Sequence, residues 1–187
     1  MATISTADFR NGMGLKINGK YYTIVEFQHV KPGKGGAFVR YKIRDLRTSR
    51  VIDQTCNAGT KFENVQLITK EMQYLYNDGD SYYFMDNETY EQEAVPSDFI
   101  GDSAKWFKEN DDCQLLFADT ELLGVQPPMF IEVEIVKTDP GFKGDTVQGG
   151  TKPAVVETGA TVQVPMYLNQ GERIKVDTRD GKFVSRV

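Results

Sequence analysis

The sequence predicts an all-β protein built from small barrels. Three observations carry that expectation. Short runs rich in β-branched and aromatic residues recur along nearly the whole chain, turn dipeptides fall between several of them, and only one stretch has a helical pattern. Many short strands with regular turns suit small barrels better than one sandwich.

The elements follow in chain order. The run 21-YYTIVEFQHV-30 is β-branched and aromatic, and 37-AFVRYKIR-44 alternates almost strictly, with Val39, Tyr41 and Ile43 on one face and Arg40, Lys42 and Arg44 on the other. One face can be buried while the other carries a row of cations. Further strands are expected at 51-VIDQTC-56, 73-QYLYND-78, 81-SYYFMD-86, 114-QLLFAD-119, 129-MFIEVEIVK-137, 160-ATVQVPMYL-168, 172-ERIKVDT-178 and 182-KFVSRV-187. Asn18-Gly19, Asp78-Gly79 and Asp180-Gly181 supply turn chemistry. The segment 102-DSAKWFKEN-110 is expected to be a helix, with Asp102 or Ser103 as N-cap and Trp106 and Phe107 packing inward. The stretch 140-PGFKGDTVQGGTKPA-154 reads as a long polar loop with few candidate core residues.

Charge divides the chain more sharply than its net −5 suggests. Residues 1–64 hold 11 Lys/Arg against 5 Asp/Glu, residues 65–127 hold 3 against 14, and residues 128–187 hold 8 against 8. Such asymmetry points to a basic part that meets a polyanion and an acidic part that faces water or basic protein. With Gln126-Pro127-Pro128 as punctuation, three domains are expected: 1–64, 65–127 and 128–187. No apolar run approaches the roughly 20 residues that span a bilayer, and the first residues, MATISTADFRNGMG, lack a secretory pattern. Cys56 and Cys113 have no local pattern and are expected to be reduced thiols of a cytoplasmic protein, an even count alone leaving one bridge open.

Catalytic chemistry has little to stand on. His29 is the single histidine and lies inside an expected strand, a setting that favours a structural role. Two separated cysteines and one histidine do not make a standard zinc site. The neighbouring acids Asp111 and Asp112, and Glu91 and Glu93, read as a solvated face. No nucleophile with a base is apparent, so no catalytic residue, metal or cofactor is assigned.

The stretch 31-KPGKGGAF-38 remains. A phosphate-cradling P-loop needs Ser or Thr after the lysine and a helix beyond it; Gly35 follows Lys34, and a strand is expected next. A flexible hairpin with a surface lysine is the plain alternative. Lys34 nevertheless sits at the tip, Pro32 stiffens one approach, and Arg40, Lys42 and Arg44 adjoin it. Flanking glycines remove bulk, so a narrow cleft could admit the tip with one ammonium leading. An accessible lysine is also open to covalent modification, and the basic face suits phosphates. A tip of about six residues reaches at most about 10 Å.

The stretches 8-DFRNG-12, 31-KPGKGGAFVR-40, 74-YLYNDGDSYYFMDNETYEQ-92, 143-KGDT-146 and 152-KPAVVETGATVQVPMYLNQGERIKVDTRDGKFVSRV-187 together resemble the bacterial elongation factor P family over the whole length. The last stretch includes residues like that family's C-terminal signature: Lys152, Ala154, Gly159, Val164, Pro165 and Gly171. The resemblance implies an N-terminal SH3-like barrel followed by two OB-folds, in an elongated L shape. It implies a monomeric cytoplasmic factor that binds the ribosome beside peptidyl-tRNA, contacts ribosomal RNA and relieves stalls at consecutive prolines. By the same match, Lys31, Pro32, Gly33, Lys34, Gly35 and Gly36 form the tip that approaches the peptidyl-transferase centre, and Lys34 is the position a lysine-modifying enzyme would extend. The family's arginine-type modification does not apply to Lys34. The resemblance also implies that Gly144, Asp145 and Thr146 lie near the exit-site codon. Arg40, Lys42 and Arg44 are expected from strand periodicity to serve RNA phosphates.

Overall fold

The computed structural model describes residues 2–141 and 150–187. Nearly all regular structure is strand, arranged in three sheets. The first has six strands: β1 (Ala2–Ser5), β2 (Gly14–Ile17), β3 (Lys20–Val30), β4 (Phe38–Asp45), β5 (Val51–Asn57) and β6 (Lys61–Val65), in the order β1-β6-β2-β3-β4-β5. The second comprises β7 (Leu67–Asn77), β8 (Ser81–Asp86), β9 (Gln92–Pro96), β10 (Asp112–Ala118) and β11 (Glu121–Gln126), in the order β11-β10-β7-β8-β9. The third comprises β12 (Phe130–Thr138), β13 (Thr151–Val156), β14 (Thr161–Pro165), β15 (Arg173–Asp177) and β16 (Lys182–Arg186), in the order β14-β13-β12-β15-β16. Its two outer strands, β14 and β16, lie against each other. The described chain forms two compact units: residues 1–70 with 115–124, and residues 71–114 with 125–187.

Alternation explains the cores. In β4, Val39, Tyr41 and Ile43 are buried as expected, and they meet Phe9, Leu15, Tyr22 and Ile24. Phe9 is the hub, edge-on to Phe27 and Tyr41 and tilted against Phe62, with ring centroids 5.4–5.9 Å apart. In the second unit, Ile131, Val133 and Ile135 from β12 pack on Ala154, Val156, Val162, Val164, Ile174 and Val176, with Trp106 and Phe183 alongside. Full burial of each such valine or isoleucine side chain contributes about 1.5–3 kcal/mol.

One turn recurs in each sheet. Asp45, Asp86 and Asp177 end β4, β8 and β15, and in each case the carboxylate accepts a backbone N–H two residues on. The carbonyl of the same aspartate accepts the N–H four residues on, from Ser49, Tyr90 or Gly181, all at positive φ. This Asx-type cap turns the chain back into β5, β9 and β16.

Several expectations need correction. The helix expected over 102–110 is a four-residue α-turn, Ser97–Ile100, followed by a 3-10 helix, Gly101–Trp106. Gly101 takes φ +52 and interrupts the helix, neither Asp102 nor Ser103 is its cap, and Phe107 is already extended. Phe107 is nevertheless buried against Tyr74, Tyr82 and Phe84. The end of the supposed 140–154 loop is β13: Lys152 and Ala154 point inward, and the Lys152 ammonium donates to the Asp139 carbonyl at 2.6 Å. Strands β1, β2, β6, β9 and β11 also lie where none was expected.

Candidate functional site

The hairpin between β3 and β4 carries the leading site residue. The two strands pair out to Val30 and Phe38, so residues 31–37 form the connection. Lys31, Pro32, Gly33, Lys34, Gly35 and Gly36 are all exposed. The connection is anchored at one foot, where the Ala58 N–H donates to the Ala37 carbonyl at 2.9 Å.

The three glycines do different things. Gly35 has φ +109, a region that costs an L-residue energy, and its missing Cβ would sit 3.9 Å from the Pro32 ring. Gly33 and Gly36 lack positive φ, and a Cβ at either would meet nothing within 4 Å. Among the described residues, nothing in the packing asks for glycine at those two positions.

Behind the tip, β4 presents Arg40, Lys42 and Arg44 outward, and the strands on each side decide what each can do. Residues directly opposite across an antiparallel pair share a face. Arg40 lies between Gln28 of β3 and Thr55 of β5, Lys42 between Glu26 and Asp53, and Arg44 between Thr23 and Val51. The Lys42 ammonium is 2.5 Å from the Glu26 carboxylate. Its hydrogen bond to Glu26, with the charges of Glu26 and Asp53, raises the Lys42 pKa. A register shift between Ile24 and Glu26 puts Glu26, not Val25, opposite Lys42. Among the described residues Arg40 makes no such pair; its guanidinium lies 5.6 Å from the Phe38 ring centroid. Gly144, Asp145 and Thr146 fall outside the described residues.

Sequence reasoning missed a polar cluster in the same unit. The Tyr21 hydroxyl donates to one oxygen of Glu121 at 2.5 Å, and Arg47 donates to the other at 2.6 Å. The hydrogen bond to Glu121 raises the Tyr21 pKa. A hundred residues separate Tyr21 from Glu121, and no local pattern announces the contact.

His29 lies edge-on to Phe27, with centroids 5.7 Å apart. Cys56 and Cys113 are free thiols, and burial pushes Cys113 up to about 12. Asp111 accepts the Lys108 N–H, and Asp112 accepts from Asn87. Tyr74 is core, but Tyr76 is not: the register shift between them turns Tyr76 outward, where it stacks on Tyr83 at 4.6 Å. Among the described residues, no group of three His, Cys, Asp or Glu is placed to hold a metal, and no helix is long and apolar enough to cross a membrane.

The sequence matches three family descriptions in order: the elongation factor P KOW-like domain over residues 5–62, the elongation factor P OB domain over 67–125, and the elongation factor P C-terminal domain over 131–186. The chain belongs to the elongation factor P family. It is 50% identical over 184 residues to elongation factor P of Caldanaerobacter subterraneus subsp. tengcongensis and to that of Pelotomaculum thermopropionicum, covering 98% of this chain and 100% of each relative. It is 51% identical over 183 residues to that of Corynebacterium efficiens, covering 98% of both chains. Among solved structures, translation initiation factor 5A from Methanococcus jannaschii aligns with a TM-score of 0.50 at 21% identity, covering 66% of this chain and 95% of that one. A relative of the same factor from Naegleria fowleri gives 0.51 at 15%, covering 67% and 97%. These two likenesses concern the fold. As an elongation factor P family member, the chain is a translation elongation factor, all-β, with an SH3-like barrel followed by two OB-folds. Its relatives are named as translation factors and not as enzymes.

Proposed function

We propose that this family member is a cytoplasmic monomer that binds the ribosome beside peptidyl-tRNA and promotes peptide-bond formation at consecutive prolines. The observation that carries the reading is the tip: Lys34 stands exposed between Gly33 and Gly35, and a Cβ at Gly33 or Gly36 would meet none of the described residues within 4 Å. Bulk is absent there without an internal reason, which suits a cleft supplied by a partner. Lys34 reaches toward the peptidyl-transferase centre and carries an enzyme-made extension that lengthens it and adds donors. Lys31, Pro32 and Gly36 bracket the tip, the outward face of β4 meets ribosomal and transfer RNA, and residues 144–146 serve the exit-site side. The boundaries near residues 64 and 127 divide three domains.

Proline is a bulky, poor nucleophile, and a chain ending in prolines misaligns the reacting ester. A factor that steadies the end of the peptidyl-tRNA raises the share of near-attack geometries without supplying an acid, base or nucleophile. The test is translation of a reporter with a proline run, beside the same reporter with alanines, with and without added protein. Acceleration confined to the proline run supports the proposal; a proline-run rate unchanged by the protein, or the same acceleration of both reporters, would overturn it.

A further inference from the structure

The outward face of β3, β4 and β5 holds an open groove of about 590 Å³, within the range of ligand sites. Gln28, Arg40 and Thr55 line it in one cross-strand row, and Glu26, Lys42 and Asp53 in the next. The rows differ electrostatically. Lys42 already has a carboxylate on each side, one at 2.5 Å, so bringing a phosphate to it means displacing or crowding those carboxylates. Arg40 has an amide on one side and a hydroxyl on the other, and the planar fork of an arginine matches a phosphate. Gln28 and Thr55 add donors and acceptors of the kind that pair with a ribose 2′-hydroxyl.

We propose that this groove holds one ribose-phosphate unit of RNA, with Arg40 gripping the phosphate, Gln28 and Thr55 contacting the ribose, and Lys42 retained as the counter-ion of Glu26 and Asp53. The three cations of β4 are then not interchangeable. The row next to Lys42 sets the boundary of the site, because an RNA strand displaced toward it meets two carboxylates. This rests on the reading of the protein as a ribosome-binding factor and adds where on the first sheet the RNA backbone is held.

The experiment measures the affinity of full-length protein for ribosomes carrying peptidyl-tRNA between about 50 and about 200 mM salt. Loss of one phosphate contact lowers the slope of log K against log salt by about 0.7–0.9. Arg40→Gln is expected to show that change, so its deficit against wild type narrows about threefold across the range. Arg40→Lys should keep the slope but bind about tenfold more weakly, having lost the fork. Thr55→Val should weaken binding without altering the slope. Lys42→Gln should change the slope by less than half as much as Arg40→Gln. Equal slope changes for Arg40→Gln and Lys42→Gln, or none for Arg40→Gln, would overturn the subsite while leaving the ribosomal function standing. Wild-type protein that fails to bind ribosomes would overturn both.

Discussion

Gly14 gives the sharpest stability prediction. It is buried in β2 between Thr23 of β3 and Val65 of β6. A Cβ built there would lie 2.6 Å from the Val65 carbonyl oxygen, 2.8 Å from the Leu67 Cγ and 2.9 Å from a Val65 methyl. The first contact is with backbone, which no rotamer change relieves, so Gly14→Ala must push β6 from β2. Overpacking of this kind costs about 1–3 kcal/mol, against about 0.4–1 kcal/mol recovered from reduced freedom of the unfolded chain. The expected net loss is about 1–2 kcal/mol, and with a slope of about 1–3 kcal/mol/M in urea the midpoint should fall by about 0.5–1 M. Gly33→Ala and Gly36→Ala face open space and should leave the midpoint unchanged or slightly raised. Urea titrations followed by circular dichroism would measure all three. A Gly14→Ala midpoint equal to wild type would refute the close approach of β2 to β6.

Two further predictions come from titratable groups. Cys113 is fully buried, and burial holds its thiol in the neutral form, whereas Cys56 is half-buried with a raised pKa of its own; a thiol reagent at mildly alkaline pH should therefore modify Cys56 slowly and Cys113 only on unfolding, as peptide mapping would show. Asp177 is held down to about 2 by Arg179, through the guanidinium and then the backbone N–H, and Asp45 is lowered chiefly by the Thr48 N–H. Both folded values lie below the 3.8 of an ordinary aspartate. Their stabilisation is therefore complete above the unfolded pKa and lost as pH falls through the folded one. Denaturation midpoints should decline between about pH 4 and pH 2, and Asp177→Asn should flatten that decline; an unaltered acid profile in the variant would contradict the assignment.

What could be read from the sequence follows from how local each signal is. The alternation of β4 and the glycines around Lys34 are local, so the hairpin and its outward cations were legible without coordinates. The missed strands carry weaker patterns. In β9 only Val95 is buried, β13 contains Pro153 and a lysine that points inward, and β2 includes Gly14. The turn built on Asp45, Asp86 and Asp177 was visible as an aspartate followed four residues later by Ser, Tyr or Gly, but only the hydrogen bonds make those three sequences one motif. The unequal surroundings of Arg40 and Lys42 were beyond reach, because they depend on strand register. A single shifted residue between Ile24 and Glu26 decides whether Lys42 faces Val25 or a carboxylate. The same holds for Tyr76, turned outward by the shift after Tyr74.

The most direct test of the proposed function is synthesis of a tri-proline peptide on purified ribosomes, comparing protein from its native source with Lys34→Ala. Lys34 is exposed at the tip, so the substitution should leave the fold and the denaturation midpoint intact. The expected result is that the native protein accelerates tri-proline synthesis, while the variant still cosediments with ribosomes but loses most of the acceleration. Full acceleration by the Lys34→Ala protein would contradict the claim that the tip lysine is what reaches the reacting end of the peptidyl-tRNA.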